Sequence, residues 1–204
     1  MYLAFMGTGR IFACRRCRES IMDRRTAYLG VWFGTACLAF AMAVAAPNEG
    51  SVMGSLPAFM SQTLLRQPLA VPGGLPSDRT LAVITFQRGQ GAQAESWIEG
   101  LNLRNDPSIV WMRMTVRDDP GTQTGRSAFE NTLLQHHPAP TDRAKLVPVF
   151  TNQASFVRSA GLNGTQQVYA VVVNRQGEVL ARAEGKFDPA KARALRETLK
   201  AQEL

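Results

Sequence analysis

The chain has 204 residues, 45% of them apolar and 19% charged, with a formal net charge of +7. That length suits one ordinary domain of ~100–150 residues plus further sequence, and the apolar share is ordinary for a globular protein. Six of the 23 basic residues fall in the first 25 positions, and from Ala46 onward 17 basic residues face 14 acidic ones, a net of +3, which excludes the clustered basic face of a nucleic-acid binder.

In chain order, the first feature is an uncharged run from Ala27 to Ala46, AYLGVWFGTACLAFAMAVAA. At ~1.5 Å per residue in a helix, it just spans a hydrocarbon core of ~30 Å. Arginines precede it, and Ala43-Val44-Ala45 at its end has the small-x-small form of a signal-peptidase site. Residues 1–45 therefore read as a signal peptide or an uncleaved signal anchor, and both keep the amino end inside and send the following domain outward. A start at Met22 gives an n-region of ordinary length, whereas a start at Met1 gives a long one. Arg24-Arg25 is an ordinary n-region pair rather than a twin-arginine signal, because Ala27 stands where that signal carries a bulky apolar residue. The three cysteines, Cys14, Cys17 and Cys37, all lie in this leader. Cys14-Arg-Arg-Cys17 has CxxC spacing but no second pair and no strand-to-helix context. The domain beyond it has no thiol.

Residues 46–78 hold Pro47, Pro57, Pro68, Pro72 and Pro76 with several glycines and read as a Pro/Gly-rich tether. Within it, Leu56 to Leu65 is expected to make a turn or two of helix. From 79 to 204 the pattern is that of a domain. Leu81 to Phe86 is a buried-type strand. Ala94, Trp97, Ile98 and Leu101 recur at helical spacing within a helix expected over 93–103, ended by Asn105-Asp106-Pro107. Ser108 to Val116 is a second strand. Asp118 to Gly121 is a turn, Ser127 to Gln135 a short helix, Leu146 to Phe150 an extended piece, and Thr151 to Ala160 a helix capped by Thr151. Val168 to Val173 is a β-branched strand, Asn174-Arg-Gln-Gly177 a turn, and Glu178 to Glu184 its antiparallel partner. Asp188 caps a last helix with Pro189 at its first position and Ala192, Leu195 and Leu199 on its buried stripe. The expected core is Val83, Ile84, Trp97, Ile98, Leu101, Ile109, Val171, Val173, Leu195 and Leu199.

Strand–helix–strand followed by helix, hairpin and helix is the element order of the thioredoxin fold. The segment VYAVVVNRQGEVLARAEG (168–185) resembles the hairpin of periplasmic thioredoxin-like and peroxiredoxin-like proteins. The resemblance covers about residues 79–202. It implies an α/β domain with a mixed central sheet flanked by helices, preceded by the signal or anchor segment, and it implies a place in the bacterial periplasm. It also sets Gly89 and Ala92 where that superfamily carries its two cysteines, and Val168 where it keeps a cis-proline. A thiolate made acidic by a helix amino terminus is the nucleophile of that chemistry, and neither Gly nor Ala replaces it. Residues 161–199 also resemble the ending of the assembly-factor family of mitochondrial ATP synthase, which implies a membrane-facing assembly role.

The junction that lacks cysteines keeps a turn and a helix start, and open sheets bind ligands outside the carboxyl ends of their strands. Arg88, Gly89, Gln90 and Gly91, with Gln167 and Val168 and the 118–126 loop, are therefore the expected partner-binding surface. His136 and His137 sit side by side in a loop. Copper-inserting proteins of this fold pair one histidine with two cysteines, so no metal site is expected here. Met112 and Met114 share one face of a strand and read as core. The expected protein is an exported, redox-inactive thioredoxin-like domain, more a protein-binding or assembly module than an enzyme. It needs no cofactor. Its partner is a protein, with membrane complexes among the candidates, and residues 27–46 touch the membrane if uncleaved. The alternatives are a thiol-independent enzyme of unknown class and a metal-handling protein using His136 and His137.

Overall fold

A computed structural model describes residues 53–201. The expected leader, with Cys14, Cys17 and Cys37 and the 27–46 run, lies outside the described residues. Among the described residues no helix is long and apolar enough to cross a membrane.

Among the described residues, seven strands and five helices are formed. A hairpin of β1 (Phe59–Gln62) and β2 (Pro68–Val71) precedes β3 (Thr80–Thr85). A 3-10 turn, Arg88–Gln90, leads into α1 (Gly91–Gly100), and β4 (Trp111–Arg117) follows. Then come α2 (Gln123–His136), α3 (Pro140–Lys145), β5 (Leu146–Phe150) and α4 (Gln153–Ser159). The chain closes with β6 (Tyr169–Val173), β7 (Val179–Glu184) and α5 (Pro189–Lys200). The main sheet has the order β5-β4-β3-β6-β7. β3 and β4 run parallel with Leu81 opposite Trp111 and Thr85 opposite Thr115, β5 continues parallel, and β6 and β7 are antiparallel. The fold is a thioredoxin-like α/β fold with a mixed central sheet flanked by helices.

Alternation along the strands divides the core into two layers. Leu81 and Val83 face Ala94, Trp97 and Ile98 of α1, Leu101 just past its end, and Ala192 and Leu195 of α5. Ala82, Ile84, Met112 and Met114 face the other way, toward Phe156 of α4 and Leu56, Val71 and Leu75 of the amino-terminal segment. The expected core residues are buried, except that Leu199 is partly exposed at the rim. β3 and β6 are buried throughout, as central strands covered on both faces must be.

Local chemistry sets the ends. Asp188 Oδ1 accepts from the N–H groups of Ala190 and Lys191, at 2.9 and 3.0 Å, and Pro189 opens α5. The β6–β7 turn places Gly177 at φ +89°, and Asn174 Oδ1 accepts from Gln176 and Glu178 N–H. α1 ends sooner than its apolar stripe suggests. Asn102 takes a left-handed conformation, φ +55°, which asparagine tolerates better than most side chains, and Leu103 N–H reaches back to the Ile98 carbonyl. β4 begins at Trp111 rather than Ser108, because Ser108 N–H and Oγ both bond to Asp106 Oδ1. The cap of α4 is Asn152, not Thr151. Its side chain accepts from Ser155 N–H at 2.8 Å.

The expected tether is folded where it is described. In place of the helical turn or two expected over Leu56 to Leu65, Phe59–Gln62 forms β1 and pairs antiparallel with β2. Pro68 stands at the first position of β2, where a missing donor costs little. Leu64 N–H donates to the Leu146 carbonyl at 3.0 Å, and Ser61 Oγ to the Pro148 carbonyl at 2.5 Å. The hairpin thereby covers the edge of β5.

Candidate functional site

The strand-to-helix junction is built around one side chain. Gln90 is 4% exposed. Its Oε1 accepts from Phe86 N–H at 2.7 Å and Gln87 N–H at 3.1 Å, while Nε2 donates to the Thr165 carbonyl at 2.8 Å. Both acceptor positions of the amide and one of its donors are thus used. The clamp joins the end of β3, the 3-10 turn and the loop before β6, so residues 88–91 and 165–168 do come together. Their side chains do not all face out. Val168 is fully buried among α1 and α5, and its carbonyl accepts from Gly185 N–H. Arg88, Gly89 and Gln167 are exposed and Gly91 half-exposed. The accessible edge is therefore narrower than the sequence implies.

Gly89 is not held to glycine by space. A Cβ placed there meets nothing within 4 Å. Of the expected 118–126 loop, 123–126 is the first turn of α2 and 118–122 is the loop, which lies at the same end of the sheet but is tied toward α4: Asp118 Oδ1 accepts from Gln153 N–H at 2.9 Å. Asp119 is bound by Arg126 through two bonds, which hold its carboxyl below the usual range. Arg117 Nη1 donates to the Phe86 carbonyl at 3.0 Å and fastens β4 to the end of β3.

A second cluster was not visible in the sequence. Arg113, on the α1 face of β4, is 9% exposed, and its Nε is buried without a hydrogen-bond partner. Burial pushes its pKa down, against the pull of Glu95 and Asp142. Those carboxylates are already engaged by Arg104, which meets Glu95 and grips Asp142 through Nε and Nη2 at 3.2 and 3.1 Å. His137 lies against the same cluster, and burial followed by the charge of Arg113 lowers its pKa. His136 is exposed at the end of α2. Among the described residues no three His, Cys, Asp or Glu side chains form a metal-binding group. The one available signal was an arginine within the apolar strand WMRMTV.

No protein-family model matches the chain, and no curated protein matches it significantly. Solved structures do. BsSco, a member of the Sco family of cytochrome c oxidase assembly proteins, is similar at 14% identity and a TM-score of 0.51, over 74% of this chain and 95% of that one. A candidate electron transfer protein from Aquifex aeolicus VF5 is similar at 9% identity and a TM-score of 0.52, over 74% and 95%. These likenesses are of fold.

Proposed function

We propose that this protein is an extracytoplasmic, thiol-inactive thioredoxin-like module that binds a protein partner and serves its assembly or stability. The observation that carries the reading is the junction at 86–92. It keeps the strand-to-helix turn of the scaffold with no cysteine, and Gln90 spends its polar groups on holding the turn closed. A fixed edge of this kind presents its backbone already ordered, so that only the exposed side chains of Arg88 and Gln167 are ordered on binding. The sheet end where they lie is where open α/β sheets take their ligands. The leader supports export, and the Sco relative supplies the assembly precedent within the same fold.

A specific observation favours a second contact surface on the same protein. The large exposed apolar side chains among the described residues are Met53, Met60 and Leu65, with Met60 75% exposed. All belong to the amino-terminal segment. Single exposed apolar residues are ordinary, but three on one short segment beside the leader make it the competing candidate.

Affinity capture from membranes and periplasm tests both. The variants are Arg88→Glu with Gln167→Glu, and Met60→Glu with Leu65→Glu; Gln90 is left intact because it holds the fold. Loss of partners in the first variant alone supports the sheet-edge reading, and loss in the second alone moves the surface to the hairpin. Recovery of oxidase or ATP-synthase subunits selects the assembly role. Insulin reduction by the domain above buffer background would refute thiol inactivity.

A further inference from the structure

At the opposite end of the sheet, below the starts of β4 and β5, lies a cavity of about 730 Å³. That is within the ~300–1,000 Å³ of small-molecule sites. It is an open cleft, flanked by the β1–β2 hairpin on one side and the 103–110 connection on the other. Leu69, Leu103, Ile109, Met112 and Val147 make its wall apolar. Lys145, at the end of α3, supplies its free positive charge.

Three observations point to what fits. The Lys145 ammonium lies 4.6 Å from the centre of the Trp111 ring and makes no ion pair among the described residues. The nearest acid, Asp142, is held by Arg104. Burial lowers the pKa of Lys145, so it gains from a counter-charge. Arg104 also reaches the rim, already paired. The single carboxylate on the lining, Asp106, is turned into its own bonds with Ser108. Among the described residues Lys145 is the cation of the lining that no carboxylate pairs, and the body of the lining is apolar.

We propose that this cavity binds a small amphiphile with an apolar chain and one anionic head, the head placed against the Lys145 ammonium. A carboxylate meets a lysine as a point charge without needing the bidentate fork of arginine. An apolar chain against Leu69, Ile109 and Val147 gains affinity with length, about fourfold per methylene at ~0.8 kcal/mol each. The site is independent of the edge at 88–91 and stands or falls apart from the partner-binding reading.

The test uses the full chain and soluble probes: octanoate, decanoate and dodecanoate, with dodecanol as the neutral control. Binding is read by calorimetry, and its place by the shift of the Trp111 indole N–H resonance. That group donates to the Leu103 carbonyl at 2.8 Å, and both residues belong to the lining. Saturable one-to-one binding that tightens with chain length and moves this resonance is expected. Lys145→Met should weaken the carboxylates about tenfold and leave dodecanol unchanged, and Leu69→Trp should block both. Binding that leaves the Trp111 resonance still, or that survives Leu69→Trp, overturns the site. Equal loss for acid and alcohol in Lys145→Met, or no loss for either, overturns the anionic head. No carboxylate binding at millimolar concentration overturns the proposal outright.

Discussion

Replacing Gln90 by methionine keeps roughly the length and volume of the side chain and removes only its polar groups. Three bonds go at once: from Phe86 N–H, from Gln87 N–H and to the Thr165 carbonyl. Their costs are unequal. Phe86 is fully buried, so its amide is stranded, at about 1–3 kcal/mol for an unsatisfied buried donor. Gln87 is exposed, and water takes its amide at little cost. Thr165 is half-buried, so its carbonyl loses about 1 kcal/mol, the net worth of an ordinary bond. The expected loss is about 2–4 kcal/mol, a large part of the ~5–15 kcal/mol that holds a domain folded. For a domain of this size, at roughly 2–4 °C per kcal/mol, the melting temperature falls by about 5–15 °C. Urea unfolding gives the free energy directly, and hydrogen exchange at Phe86 shows whether the stranded amide is the cause. A loss under about 0.5 kcal/mol, or unchanged protection at Phe86, would refute the clamp.

Three other outcomes follow from the structure. Gly89→Cys with Ala92→Cys should fold and form an internal disulfide, since a Cβ at Gly89 meets nothing within 4 Å and Ala92 is exposed; failure to oxidise, read by mass and thiol titration, would contradict the placement of these positions on the thioredoxin pattern. Arg113→Met should be neutral or stabilising, by about 1 kcal/mol, because it removes a buried cation without a partner; Arg104→Met should destabilise by about 1 kcal/mol, because Glu95 and Asp142 lose their shared counter-charge. His137 is held below its ordinary value of about 6.5 in the folded state, so under that pH the unfolded chain binds a proton the folded one resists. Stability should therefore fall as pH drops from about 7 toward the folded-state value and level off below it, and His137→Gln should flatten that slope in urea midpoints taken across the range.

Elements legible in the sequence are those whose signal is local. The β-branched run at 169–173, the stripe of Ala94, Trp97, Ile98 and Leu101, and the Asp188-Pro189 cap each depend on residues within a turn or two of one another. Parallel pairing of 81–86 with 109–116 followed from the helix between them, since a strand, helix and strand in succession close only one way. The β1–β2 hairpin was not legible. Its prolines resemble a tether, and what orders it is distant: Phe59 against Phe156, with ring centroids 6.4 Å apart, and hydrogen bonds to β5 from Ser61 and Leu64. Arg66 takes φ +64° in its turn and pairs with buried Glu130 of α2 at 3.2 Å, a contact across 64 residues that no local pattern announces.

The proximity of the candidate site residues was legible, and their orientation was not. Spacing brought 88–91 and 167–168 to one sheet end, but whether Gln90 faces solvent or the loop before β6 depends on where the Thr165 carbonyl lies. That inward turn bears on function. An amide that fills the junction with hydrogen bonds leaves Phe86 N–H and Gln87 N–H unavailable to a ligand, so the helix start cannot hold an anion through them without breaking the clamp. On the proposed reading, a partner would meet this edge from outside, on Arg88, Gly89 and Gln167. That proposal rests on the rigid edge Gln90 makes as much as on the missing cysteines. A Gln90→Met variant that retained the wild-type partner set while losing stability would show that the clamp serves the fold and the exposed residues serve the contact; selective loss of partners at temperatures where the variant is still folded would show that the rigid edge is itself what the partner reads.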